Sequence, residues 1–139
     1  MMGISQISVF LENTTGRLCE VTQTLARADI NLRAISIADT ADFGILRLIV
    51  DKTDEAVSAL TAAGFTTRQT TVAAVEITDK PGSLASLMAL FQKSGINIEY
   101  LYASLEGSDG KAVVIFKLEN HEKGSEILEK SGLTLAERF

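Results

Sequence analysis

The sequence predicts an α+β protein made of two tandem βαββαβ units, each an antiparallel four-stranded sheet with two helices on one face. Two observations carry that reading. The apolar residues switch between strand and helix periods in one order, and the whole order occurs twice. The two halves also align with each other over most of their length, which marks an internal repeat. The units are assigned to residues 1–70 and 71–139.

In the first unit, "ISQISVFLE" (4–12) alternates as a strand does, with Ile7, Val9 and Leu11 on one face. "GRLCEVTQTLARA" (16–28) sets Leu18, Val21 and Leu25 at helical spacing. "NLRAISIAD" (31–39) and "GILRLIV" (44–50) read as strands joined by a short polar turn. "TDEAVSALTAAG" (53–64) opens on Thr with acidic residues and closes on Gly, so both ends of a helix are marked. "FTTRQTT" (65–71) is a polar edge strand. The second unit repeats the order with "TVAAVEIT" (71–78), "GSLASLMALFQKS" (82–94), "NIEYLYASL" (97–105), "KAVVIFKLE" (111–119), "HEKGSEILEKSG" (121–132) and "LTLAERF" (133–139). This is the split βαβ order of ferredoxin-like folds. A unit of this size buries only a modest share of its surface, so the first is expected to lean on the second, with no linker at the boundary near Thr71.

An offset of 66 residues pairs Asn13 with Asp79, Gly16 with Gly82, Leu18 with Leu84, Leu25 with Phe91 and "ADIN" (28–31) with "SGIN" (94–97). After the next turn an offset of 68 pairs "ILRLIV" (45–50) with "VVIFKL" (113–118), Leu60 with Leu128 and Gly64 with Gly132. A two-residue insertion in the "EGSDGK" turn accounts for the change.

Composition excludes several classes of function. Apolar residues at 46% and charged residues at 22% suit a well-cored globular chain rather than a disordered one. A formal net charge of −5 without a Lys/Arg cluster argues against nucleic acid as a partner. No apolar run is long enough to span a membrane, and "MMGISQISVFLEN" lacks the marks of a signal peptide, so a cytoplasmic location is expected. Cys19 is the one cysteine, which leaves no disulfide and no multi-Cys metal site; it reads as a small buried filler in its helix. His121 is the one histidine, which excludes a His-rich metal site and a His-dependent triad; it reads as a surface residue. "GSDGK" joins two strands instead of opening a helix, so it is not a phosphate-cradling loop. No cofactor and no catalytic group is expected.

Alternation places Ile35, Ile37, Leu46, Leu48 and Val50 toward the helices, matched by Leu101, Ala103, Val114, Phe116 and Leu118. The other sheet face then carries Ala34, Ile45, Ile49, Tyr100, Tyr102, Val113 and Ile115, too apolar for a solvated surface. The other sheet, a second subunit or both must cover it, and a homodimer is the preferred cover. Aromatics on such a sheet also suit RNA stacking, but the basic residues that reading needs are missing.

Each unit has a strand-to-helix corner, "NTTGRL" (13–18) and "DKPGSL" (79–84). Asp79 is suited to cap the helix, Pro81 to its first turn, and Gly82 to close approach by another molecule. A helix start carries a partial positive charge that suits a carboxylate, and Asp79 or Asn13 can accept from an ammonium. The same Asp-x-Pro-Gly string is equally a good turn leading into a helix.

"DKPGSLASLMALFQKSGINIEYL" and "NTTGRLCEVTQTLARADINLRAI" together resemble the ACT domain, the amino-acid-sensing module of metabolic regulation. Its mark is a D/N-x-x-G-x-L corner followed, after a helix, by a small residue and an "IN" that opens the next strand. The likeness covers both halves, and the chain is similar to small stand-alone bacterial proteins made of two ACT units. The resemblance implies a free amino acid held where the corner of one ACT unit meets a strand of another. By position it nominates Asn13, Thr14, Thr15, Gly16, Arg17 and Leu18 in the first copy, and Asp79, Lys80, Pro81, Gly82, Ser83 and Leu84 in the second. Main-chain N–H groups of residues 15–18 and 82–84 would hold the carboxylate. Arg17 either adds charge or is solvated, and Asn31 and Asn97 either contact the ligand or shape the turn before them. The first copy departs from the pattern, with Thr14-Thr15 where the second has Lys80-Pro81. That corner therefore binds a different ligand or only supports the fold.

The function expected from these readings is regulatory amino-acid binding without catalysis. The alternative is a protein-interaction or regulatory subunit of an amino-acid biosynthetic enzyme that needs no small ligand.

Overall fold

A computed structural model describes residues 3–39 and 42–136. The elements follow in the order β1 (Ile4–Glu12), α1 (Arg17–Arg27), β2 (Leu32–Asp39), β3 (Phe43–Val50), α2 (Thr53–Ala62), β4 (Thr66–Thr78), α3 (Ser83–Lys93), β5 (Ile98–Ser108), β6 (Lys111–Leu118), α4 (His121–Lys130) and β7 (Thr134–Ala136). The chain divides into two compact units, Ser5–Thr70 and the chain from Thr71 onward, the latter joined by Ile4. "FTTRQTT" and "TVAAVEIT" are not separate strands but consecutive parts of β4. No Gly or Pro interrupts Thr66–Thr78, and Thr and Val favour extended backbone, so nothing in that stretch stops a strand.

In the first unit, β1 pairs antiparallel with β3 (Ile7 opposite Leu48, Val9 opposite Leu46), β2 pairs antiparallel with β3 (Ile35 opposite Leu48), and β1 also pairs with β4. The order is thus β2-β3-β1-β4. In the second, β5 and β4 flank β6 (Leu101 and Ala73 opposite Phe116), and β7 lies against β4 (Leu135 opposite Val75), all antiparallel. That order, β5-β6-β4-β7, repeats the first.

Each unit has its own core. The first joins Ile7, Val9 and Leu11 of β1 and Leu46, Leu48 and Val50 of β3 to Val21 and Leu25 of α1 and Ala56 and Leu60 of α2. Both helices therefore share one sheet face. The second core repeats this with Val75, Val114, Phe116, Leu118, Leu87, Phe91 and Leu128. Each fully buried Leu, Ile, Val or Phe contributes about 1.5–3 kcal/mol of transfer free energy.

The buried stripe of α1 explains one misreading. Val21 and Leu25 face the core. Cys19 precedes Val21 by two residues, which turns it about 200° around the helix at 3.6 residues per turn. It is accordingly exposed and not a buried filler. Ile37, 53% exposed, Leu101, 41% exposed, and Ala103 are likewise not against the helices. They lie on β2 and β5, the outer strands of their units, which meet the helical cores through the partly buried Leu32, Ile35 and Ile98 instead. The opposite face is dry as expected: Ala34, Ile49, Tyr102 and Ile115 are buried, and Ile45, Tyr100 and Val113 are half-buried. His121, read as a surface residue, is half-buried at the start of α4, its Nε2 3.3 Å from Oγ of the buried Ser125.

Candidate functional site

The two corners have one backbone. In the second unit the Ser83 N–H donates to the Lys80 carbonyl at 3.3 Å, and Gly82 sits at φ 90°, ψ −13°. In the first, the Arg17 N–H donates to the Thr14 carbonyl at 3.4 Å, and Gly16 sits at φ 92°, ψ −14°. An i to i+3 bond with left-handed φ at the third residue is the type II turn, where Gly is demanded and Pro at the second position is merely favourable. Thr15 therefore occupies the place of Pro81 without altering the corner. The flanking bonds repeat too: the Asn13 N–H donates to Asp42 at 3.0 Å and the Asp79 N–H to Gly110 at 2.7 Å.

This geometry corrects the expected cap. The residue before α3 is Gly82, and Pro81 lies in the turn ahead of the helix, not in its first turn. No side chain caps the helix at that position, so Asp79 serves the corner through its main-chain bond to Gly110.

Beside the second corner lies an open cleft of about 500 Å³. Lys80, Pro81, Gly82 and Ser83 of the expected site line it; Asp79 and Leu84 do not. Leu84 is 38% exposed and its counterpart Leu18 40%, so both point outward at the same place in each unit. The remaining walls were not read from the sequence. Thr78 and Lys111 face each other across the β4–β6 ladder at one rim. Ser86 stands one helical turn after Ser83, and Leu87 and Leu90 form an apolar side. The turn from Ser131 to Thr134, after α4, closes the far side through Leu133. The cleft thus combines two lysines, one glutamate (Glu76), several hydroxyls and an apolar wall. No acidic residue occupies the first turn of α3, so no carboxylate of its own offsets the positive end of the helix.

At the matching place in the first unit stands the Arg17 side chain. The Arg17 guanidinium lies 4.6 Å from the centroid of the Phe65 ring. One terminal nitrogen donates to Glu20 at 2.8 Å, and the other is 3.9 Å from Glu12. The Nε of Arg17 is buried without a hydrogen-bond partner, so the ring and the two carboxylates hold the group. Arg17 is thus paired within its own unit.

Asn31 and Asn97 lie at the other end of α1 and α3 from the corners. The Asn31 N–H donates to the Asp51 side chain at 3.0 Å and its carbonyl accepts from the Asp51 N–H at 3.2 Å; the Asn97 carbonyl accepts from the Glu119 N–H at 3.0 Å. Eleven helical residues at 1.5 Å rise separate each from the corner of its own unit by roughly 16 Å. They fasten the strand ends after the helices. Among the described residues no group of three or more His, Cys, Asp or Glu is placed to hold a metal ion, and no helix is long and apolar enough to cross a membrane.

Comparison with known proteins places the chain. The family model described as an ACT domain pair matches residues 2–138. No curated protein sequence matches. Among solved structures, the chain is similar to protein BT0572 from Bacteroides thetaiotaomicron, at 39% identity and a TM-score of 0.91 over 97% of this chain and 92% of that one. It also shares its fold with the ligand-free regulatory subunit of aspartate kinase from Thermus thermophilus, at 21% identity and a TM-score of 0.69 over 94% and 93% of the two chains. The corresponding subunit from Thermus flavus matches at 18% identity and 0.64 over 95% and 94%. Doubled corners, doubled strand order and a family match over nearly every residue agree: the chain belongs to the ACT domain family, as an ACT domain pair.

Proposed function

We propose that this ACT domain pair binds a free amino acid at a strand-to-helix corner and relays its presence, without catalysing a reaction. The cleft beside Lys80–Ser83 carries the reading. It offers ammonium groups and unneutralised helix N–H groups to a carboxylate, Glu76 to an ammonium, and leucines to a side chain. The family resemblance adds that such a ligand is held where ACT units meet, which includes units of two chains in a homodimer. The protein works in the cytoplasm, where free amino acids are the signal.

Amino acid binding only the native state raises stability with occupancy. A thermal-shift panel of the twenty amino acids is expected to raise the melting temperature with one or a few of them. A flat response throughout at millimolar concentration would overturn the reading.

A second reading is regulation through a partner protein with no small ligand. Phe43, 60% exposed, and Phe10, 43% exposed, lie at the β1–β3 pair and favour it, since large apolar side chains left in water mark contact surfaces. The Thermus structures are named as subunits of an enzyme, which makes a metabolic kinase the class of partner to test. Co-purification of such an enzyme with a flat amino-acid panel would select this reading.

A further inference from the structure

Four aligned positions distinguish the place where Arg17 packs in the first unit from the open cleft of the second. Glu12, Arg17, Glu20 and Phe65 in the first unit correspond to Thr78, Ser83, Ser86 and Leu133 in the second. The first four interact with one another: Arg17 stacks on Phe65 and pairs with Glu20 and Glu12. All four counterparts line the cleft. Each exchange removes bulk or charge from the space, so the cleft is what remains of this groove without its internal occupant. The charge also inverts. The carboxylates that hold a cation in the first unit are hydroxyls in the second, where Lys80 and Lys111 stand against Glu76.

We infer that the two repeats are unequal. The second unit's cleft takes one amino acid with an apolar side chain, its carboxylate toward Lys80 and Lys111 and its side chain along Leu87, Leu90 and Leu133. The first unit's groove takes none, because the Arg17 side chain fills it as a built-in plug. This rests on the amino-acid binding proposed above and adds to it the ligand class and the number of sites per chain.

Amide shifts of isotope-labelled protein test it, with L-leucine and L-phenylalanine as probes, glycine as the probe without a side chain, and the 2-oxo acid of leucine as the probe without an ammonium. Saturable shifts are expected at residues 80–90 and 131–134 with leucine or phenylalanine, weaker ones with the other two, and none at residues 14–20 and 63–66. Shifts at the first corner as large as those at the second overturn the inequality while leaving amino-acid binding intact. Stronger binding of the oxo acid overturns the zwitterion. No shift with any of the twenty amino acids overturns the proposed function and, with it, the ligand assigned to this cleft.

Two variants move the plug. Ser83→Arg combined with Ser86→Glu and Leu133→Phe is expected to abolish the second-unit shifts with the helical circular dichroism retained; Ser83→Arg alone serves if the triple variant fails to fold. Undiminished shifts in a folded variant overturn the plug. Its presence is also readable without any ligand. The Arg17 side-chain proton signals are expected to carry the ring-current shift of a nearby aromatic face and to lose it in Phe65→Leu. Signals at ordinary positions, or unchanged by Phe65→Leu, overturn the plug whatever the probes do.

Discussion

Arg17 lies over the ring of Phe65, 4.6 Å from its centroid, while its guanidinium donates to Glu20 at 2.8 Å. The arrangement ties the first turn of α1 to the residue that leads into β4. A cation over an aromatic face contributes about 0.5–2 kcal/mol, and an exposed helical ion pair about 0.3–0.5 kcal/mol. Arg17→Ala is therefore expected to lower unfolding stability by ~1–2 kcal/mol, read from urea denaturation. Glu20→Gln should cost only a few tenths of a kcal/mol, because the ring contact survives. An equal loss in both variants would show that the ion pair dominates.

Gly16 and Gly82 occupy left-handed backbone with open space where a Cβ would be. Steric contact is thus absent and only backbone strain remains. Gly16→Ala and Gly82→Ala should each cost ~1–2 kcal/mol, and the Asn substitutions less, since Asn tolerates this region. Equilibrium denaturation of the four variants checks the order. Gly82→Val should in addition abolish the response to amino acid, by obstructing approach to the main chain.

Gly124 has the opposite problem. A methyl group there would run into Leu118 Cδ1, a fully buried side chain, with the Ile96 Cγ2 atom 3.6 Å away. Helix α4 approaches β6 this closely because position 124 has no side chain. Gly124→Ala should destabilise by about 1–3 kcal/mol through overpacking. Adding Leu118→Val should recover part of the loss, measured as a double-mutant cycle.

Phe91 and Phe116 meet edge to face, with centroids 5.5 Å apart and rings inclined by 65°. Both are fully buried. Phe91→Ala or Phe116→Ala should each cost about 3–5 kcal/mol, with a coupling of about 0.5–1.5 kcal/mol between them. The aligned positions in the first unit are Leu25 and Leu48, so Leu25→Ala with Leu48→Ala should show no aromatic share in its coupling.

The sequence exposes the fold because each element declares itself locally. Leu18, Val21 and Leu25, or Ile7, Val9 and Leu11, need no tertiary knowledge to be assigned a period, and the two offsets place each helix twice. Helix α3 lies 66 residues after α1, and β6 and α4 lie 68 after β3 and α2, as the alignment requires. The site was legible only where it is local. Lys80, Pro81, Gly82 and Ser83 stand together because they are consecutive. Lys111 reaches the cleft through strand pairing and Leu133 through the return of the chain after α4, and no window of sequence holds them beside Gly82. Asn31 and Asn97 were nominated from a motif that a whole helix divides. A usable signal was present in the contrast between aligned positions, Arg17 with Ser83 and Phe65 with Leu133, rather than in their agreement.

Because one left-handed glycine and one main-chain hydrogen bond store the shape of each bend, the neighbouring side chains carry no duty toward it. Thr15 stands for proline, and arginine for serine, while the torsions of the glycine between them, φ 92° and ψ −14° against φ 90° and ψ −13°, hardly change. A duplicated scaffold built this way lets one copy drift in chemistry while the other keeps its trade, and misfolding does not punish the experiment.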